Sequence, residues 1–178
     1  MHRKSLEALL YQYNPTPEET WYKEKMLQFL DSYENCFQRS LAIGHFTASA
    51  WLESQDGRSA LLLHHAKLDI WVQPGGHADG DHDLLAVAIK EAQEESGIFG
   101  IVSVSDQIFD IDMHRIPANS KEAEHDHYDV RFLLKVVTDE QFVQNRESKA
   151  MQWIDKHTNQ FPTQERSVVR MFEKWKNL

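Results

Sequence analysis

GGHADGDHDLLAVAIKEAQEESGI, residues 75–98, opens on a glycine pair, passes through a short polar loop and ends in a pattern of helical period. Glu91, Glu94 and Glu95 stand at i, i+3 and i+4, so on a helix of 3.6 residues per turn their carboxylates emerge on one face. Three crowded carboxylates repel one another unless a hard divalent cation lies over them; Mg2+ takes oxygen ligands and keeps water or substrate phosphate in its remaining positions. The other face, Leu84, Leu85, Val87, Ala88 and Ala92, is an apolar stripe suited to packing on a sheet. A solvated acidic helix is the plain alternative.

The stretch resembles the Nudix box, a 23-residue signature: glycine, five residues, glutamate, seven residues, Arg-Glu, an apolar residue, any residue, Glu-Glu, any residue, glycine and a final apolar residue. Without a gap, Gly76 takes the first glycine, Glu91 the glutamate of the Arg-Glu pair, Glu94 and Glu95 the Glu-Glu pair, Gly97 the last glycine and Ile98 the final apolar position. His82 stands where the family has its first glutamate, Lys90 where it has arginine, and Ala92 is a small version of the aliphatic position. Lys is a point charge without the planar fork of Arg, so it is expected to orient neighbouring carboxylates less firmly. The resemblance implies that Glu91, Glu94 and Glu95, with the carbonyl of Gly75, bind Mg2+, with Mn2+ as a substitute. It also implies a Nudix-like α/β/α sandwich with a mixed sheet.

Composition fits that reading. The 178 residues are 41% hydrophobic, enough for a proper core in one compact domain. A net charge of −9 argues against a nucleic-acid partner, which draws on clustered Lys and Arg. A single cysteine, Cys36, excludes an intrachain disulfide, and reads as a buried small hydrophobe. MHRKSLEALL is too short and mixed for a signal peptide, and no apolar run approaches the roughly 20 residues of a membrane span. A cytoplasmic protein without membrane attachment is the expectation.

In chain order, residues 1–40 read as a helical extension and 41–178 as the Nudix domain. The first helix lies around Ser5 to Tyr13; the second opens with Thr16 as cap, Pro17 at the first helical position and Glu18-Glu19 in the first turn. Its Trp21, Tyr22, Met26, Phe29, Leu30 and Tyr33 recur at helical spacing. They pack on the chain's own core or form a homodimer interface in which the arms reach across. Strands follow at Leu41–Leu52 and Ala60–His64, joined by a turn containing Asp56-Gly57. Trp71-Val72-Gln73-Pro74 delivers an extended chain to the glycines, where a loop begins. Beyond the box, Ile101–Val104, Gln107–Ile116, Asp129–Val137 and Met151–Ile154 read as strands, with Phe109, Ile111 and Met113 alternating with Asp110, Asp112 and His114. Lys121–His127 reads as an exposed loop, Thr138–Asn145 as a short helix or loop, and Thr163 as the cap of a last helix reaching Trp175.

Ten histidines include His64-His65, His77, His82, His125 and His127, in segments a Nudix-like fold would bring near one mouth. A zinc site is one reading, since imidazole is a common ligand, but no pair has the helical i, i+4 spacing of zinc proteases. Phosphate contact or orientation of other ligands is the reading preferred. GGH, HDHYDVRF and ESKAMQWI together resemble one bacterial branch of Nudix proteins. On that resemblance His77, His125, His127 and Arg131 are expected to contact substrate. The general base varies within the family; Glu122 and Glu124 are the candidates beside the box glutamates. The expected activity is metal-dependent hydrolysis of a nucleoside diphosphate linked to another moiety, with a lean to nucleotide sugars or ADP-ribose. Against ADP-ribose, the proline that such members often carry some fifteen residues past the box is replaced here by Asp112 and Met113. The alternatives are nucleoside triphosphate pyrophosphohydrolysis and a non-catalytic metabolite-sensing domain.

Overall fold

In the computed structural model, which describes residues 3–118 and 123–178, two long parallel strands form the centre. β1 (Gly44–Glu53) and β7 (His125–Val136) run in unbroken register from Gly44 opposite Asp126 to Glu53 opposite Lys135. Their even-numbered side chains, Phe46, Ala48, Ala50 and Leu52 beside Tyr128, Val130, Phe132 and Leu134, enter the larger apolar core. Period-two alternation turns the odd-numbered ones to the other face.

All the other strand pairings are antiparallel. β2 (Ser59–His65) returns from β1 through the expected turn, then leaves it for β8 (Ser148–Asp155) and β3 (Trp71–Val72). β4 (Gly75–His77) pairs with the first half of β1, while β5 (Ile101–Ser103) and β6 (Asp110–Ile116) share the free side of β7. The result is one mixed eight-stranded sheet. α1 (Arg3–Gln12), α2 (Thr20–Ser32) and α3 (Leu84–Ser96) contribute to the larger core on one face. On the other, α4 (Arg166–Lys176) packs Val168, Met171, Phe172 and Trp175 on Trp51, Leu62 and Leu133. The α/β/α layering and mixed sheet expected from the sequence are present.

Several local expectations need correction. α2 starts at Thr20, not after Thr16, because Glu19 reaches back: its carboxylate accepts from both the backbone N–H (2.8 Å) and the hydroxyl (2.7 Å) of Thr16 and closes a turn ahead of the helix. The glycine pair is not loop but the short strand β4, because β1 offers it a ladder from Ser49 to Thr47. His125 to His127 already belong to β7, since parallel pairing with β1 extends to Gly44. Residues 138–145 form no helix. Of the α2 stripe, Met26, Phe29 and Leu30 bury in this chain's own core, with Phe29 stacked on Tyr128 at 4.0 Å, whereas Trp21 stays half exposed.

A buried ionic network ties the ends of the chain to the sheet. The carboxylate of Glu19, fully buried, accepts from Tyr13 Oη, from Lys174 Nζ and from the backbone N–H of Ile111 on edge strand β6. Arg170 bridges Asp110 (2.8 and 2.9 Å) and the carbonyl of Ile111 (2.7 Å). Against the opposing effect of burial, hydrogen bonds from Lys174, Tyr13 and Thr16 hold Glu19 well below the ordinary carboxylate range, at about 2. Removing one partner of such a network leaves a buried charge without compensation, and Arg170→Ala should cost about 3–5 kcal/mol of folding stability. Chemical denaturation of the variant checks this; a loss under about 1 kcal/mol would show that water replaces the guanidinium.

Candidate active site

α3 is positioned at both ends. Asp83 caps it by accepting from the N–H of Ala86 (3.1 Å), and Gly97, in the left-handed region at φ 72°, closes it with its N–H on the carbonyl of Gln93 (2.8 Å). Leu84, Val87, Ala88 and Ala92 face the sheet. The three glutamates differ in burial: the side chain of Glu94 is 60% exposed and that of Glu91 16%, whereas Glu95 is buried.

β4 and α3 meet through these carboxylates. Glu95 Oε2 accepts from the N–H of Gly75 at 2.9 Å. A Cβ on Gly76 would come within 2.4 Å of Glu91 Oε2, and one on Gly75 within 2.3 Å of Ser49 Oγ. The glycine pair is therefore required by close approach, one residue facing the helix and the next the opposite side of the sheet. Lys90, at the box arginine position, lies 3.5 Å from Glu91 and 3.8 Å from Glu94, so the ammonium sits between two carboxylates without gripping either bidentately. His82, at the first box glutamate position, packs edge-on against Phe37, with ring centroids 4.5 Å apart.

The electrostatics of this cluster are those of charge without enough countercharge. Burial raises Glu95 to about 8, helped by Glu91, Glu147 and Glu94 and opposed by the Gly75 N–H. Burial also raises Glu91; Lys90 opposes, while Glu94 and Glu147 add to the shift. Glu147, just before β8, thus lies close enough to act on both. Sequence reasoning assigns it no chemistry, although it begins ESKAMQWI, one of the stretches that carries the resemblance. A crowded oxygen set with raised affinity for positive charge fits a hard divalent cation.

The remaining expected residues separate into two places. His77 and His127 come together with His45, and His125 adjoins them, its Nε2 3.2 Å from that of His127. Arg131 does not reach a substrate mouth: it is 2% exposed, and Asp129 (2.7 Å) and Asp110 (3.1 Å) occupy its guanidinium. Glu124 is exposed and held by Arg115 at 3.0 Å. In the β1–β7 register Arg131 is level with Ser49, which pairs with Gly75, so Glu124 lies seven residues from that level, roughly 23 Å along the strand. That distance removes it from the box. Glu122 lies outside the described residues. His64 stacks on Trp71 and His82 packs edge-on against Phe37, and neither joins the histidine group.

The sequence profile of the NUDIX domain matches residues 43–173. The chain belongs to the Nudix family. It is a Nudix-type pyrophosphohydrolase of nucleoside diphosphate derivatives. No curated protein gives a significant sequence match. Among solved structures, the C. elegans Ap4A hydrolase binary complex superposes with a TM-score of 0.58 at 18% identity, covering 74% of this chain and 95% of that one. The E. coli dihydroneopterin triphosphate pyrophosphohydrolase gives 0.55 at 17%, covering 72% and 92%. An ADP-ribose pyrophosphatase from Streptococcus suis gives 0.50 at 18%, covering 72% and 89%. At these identities the likeness is one of fold. Among the described residues no helix is long and apolar enough to cross a membrane.

Because Glu95 holds its proton more tightly folded than unfolded, its contribution to stability is fully present below the ordinary carboxylate value of 4.5 and is lost as pH rises through about 8. Glu95→Gln, which removes the charge at similar size, should therefore flatten the decline in melting temperature of metal-free protein between pH 5 and 8 and leave the variant at least as stable at pH 8. An unchanged pH profile would show that Glu95 ionises at no cost.

Proposed function

We propose that Glu91, Glu94 and Glu95, with the carbonyl of Gly75, hold Mg2+ or Mn2+ for hydrolysis of a phosphoanhydride in a nucleoside diphosphate linked to a second moiety, with nucleotide sugars and ADP-ribose as the leading substrates. The observation that carries this reading is the convergence of Glu91 and Glu95 on the Gly75–Gly76 backbone, with raised proton affinity at both. A bound divalent cation offsets the charge that protects a phosphoanhydride and acidifies an attacking water.

The chain's own residues supply position and proton transfer. The Gly75 N–H fixes one oxygen of Glu95 and so sets the direction of the other. Lys90 restrains Glu91 and Glu94 from the solvent side. Glu147 takes the role of general base in place of Glu124, because it approaches the box from a separate loop and its charge is felt at two of the box carboxylates. The protein is expected to work in the cytoplasm.

Product analysis over a panel of nucleotide sugars, ADP-ribose and nucleoside triphosphates should give nucleoside monophosphate from the diphosphate class only in the presence of Mg2+ or Mn2+. Full turnover in chelator would sink the reading. Glu147→Gln should lower kcat by about 10²–10⁴-fold, whereas Glu124→Gln should stay within about threefold of the parent. The reverse ranking would return the base to the loop before β7.

A further inference from the structure

Five histidines lie on the sheet face turned away from α3. In the β1–β7–β6 register His45, His127 and His114 form one row across three strands, and the rows beyond are Thr47, Asp129, Asp112 and then Ser49, Arg131, Asp110. β4 adds His77, level with Thr47, and β7 adds His125. The ring centroids of His45, His77 and His127 are 4.8 to 5.1 Å apart, and one nitrogen from each can be chosen so that all lie within 4.8 Å of one another. His45 is buried at the base of the group, while His77 and His127 are partly open to solvent.

Imidazoles packed this closely cannot all carry protons. Rings that stay neutral to avoid this repulsion offer lone pairs to a cation. A neighbour orients one of the three: His125, whose Nδ1 donates to the carbonyl of Ala123 at 2.8 Å, holds its Nε2 3.2 Å from that of His127. Outer hydrogen bonds of this kind commonly orient metal-binding imidazoles. The donors also differ in kind from those of the box: carboxylates suit Mg2+, whereas neutral imidazoles suit Zn2+ and its neighbours in the first transition row. Strand alternation keeps the two sets apart, since Gly76 faces Glu91 and the next residue, His77, faces the other way.

We propose that His45, His77 and His127 form a second metal site, separate from the box glutamates, which takes a borderline divalent cation of the Zn2+ class and leaves a fourth position open to water or a phosphate oxygen. Three nitrogens around a tetrahedral zinc at about 2.0–2.1 Å stand about 3.4 Å apart, so binding draws the rings inward by at most about 1.4 Å. Rotation of the two partly open rings supplies that movement. The site stands on the histidines alone and holds whichever substrate the box cleaves.

The test uses full-length protein stripped of metal and carrying Glu91→Gln, Glu94→Gln and Glu95→Gln together, so that the box no longer competes. Titration with Co2+ should give one equivalent bound with the visible absorption of a tetrahedral nitrogen site, and Zn2+ should displace it and raise the melting temperature. Adding His77→Gln or His127→Gln, each at a partly open position, should weaken Co2+ binding at least tenfold and abolish the Zn2+-induced rise. Co2+ binding that survives both histidine changes, or that is absent in the box-deficient protein, overturns the proposal. So does stabilisation by inorganic phosphate with none by Zn2+, which would make the group an anion site.

Discussion

The unbroken parallel register between β1 and β7 is the constraint from which the remaining geometry follows. Ten consecutive pairs fix which side chains share a row, and a slip of one residue would exchange the two faces. If β7 slipped against β1, Val130 would turn away from the α3 side and Asp129 into the apolar core, while Phe46 and His45 on β1 kept their places. Because β4 takes its register from β1, the same ladder also decides that Gly75 lies opposite Ser49 and beneath Glu95. A strand outside the box thus holds Gly75 and Gly76 flat against the helix that carries the glutamates.

Two groups of buried acids in this chain respond to burial in opposite ways, and the difference lies in their partners. Glu19 and Asp112 are surrounded by Arg131, Arg170 and Lys174 and ionise more readily than free carboxylates. Glu91 and Glu95 have only Lys90 nearby and ionise less readily. The first group is already neutralised by the protein. The second retains an unmet demand for positive charge, a difference between the two clusters that acidity and spacing alone do not show.

The box was legible because helical spacing and two glycines are local properties. The strands of the sheet were legible for the same reason, most clearly FLLKVV in β7, whose apolar run needs no partner to be recognised. Arg131 shows where local reading stops: beside a histidine-rich stretch it resembles a phosphate ligand, yet Asp110, from another strand, claims it. The electrostatic influence of Glu147 on the box carboxylates, and the pairing of Glu124 with Arg115, are set by strand register, which no local pattern reveals. Thr16 carried a genuine capping signal, but its partner Glu19 was needed by Tyr13, Lys174 and Ile111, so the cap closed a turn instead of opening the helix. The histidine group likewise draws on four strands, and His45 and His114 are isolated in sequence.

The contact between Glu19 and Lys174 joins residues 155 positions apart. On a ribosome the first two helices emerge long before the helix that supplies their countercharge, and the edge strand bearing Ile111 also comes later. Until α4 has been made, Glu19 lacks its Lys174 partner, and the first two helices cannot complete their packing against the sheet. The network thus closes late in chain order: the charge on Glu19 is met only once α4, far along the chain, turns back onto the first helices.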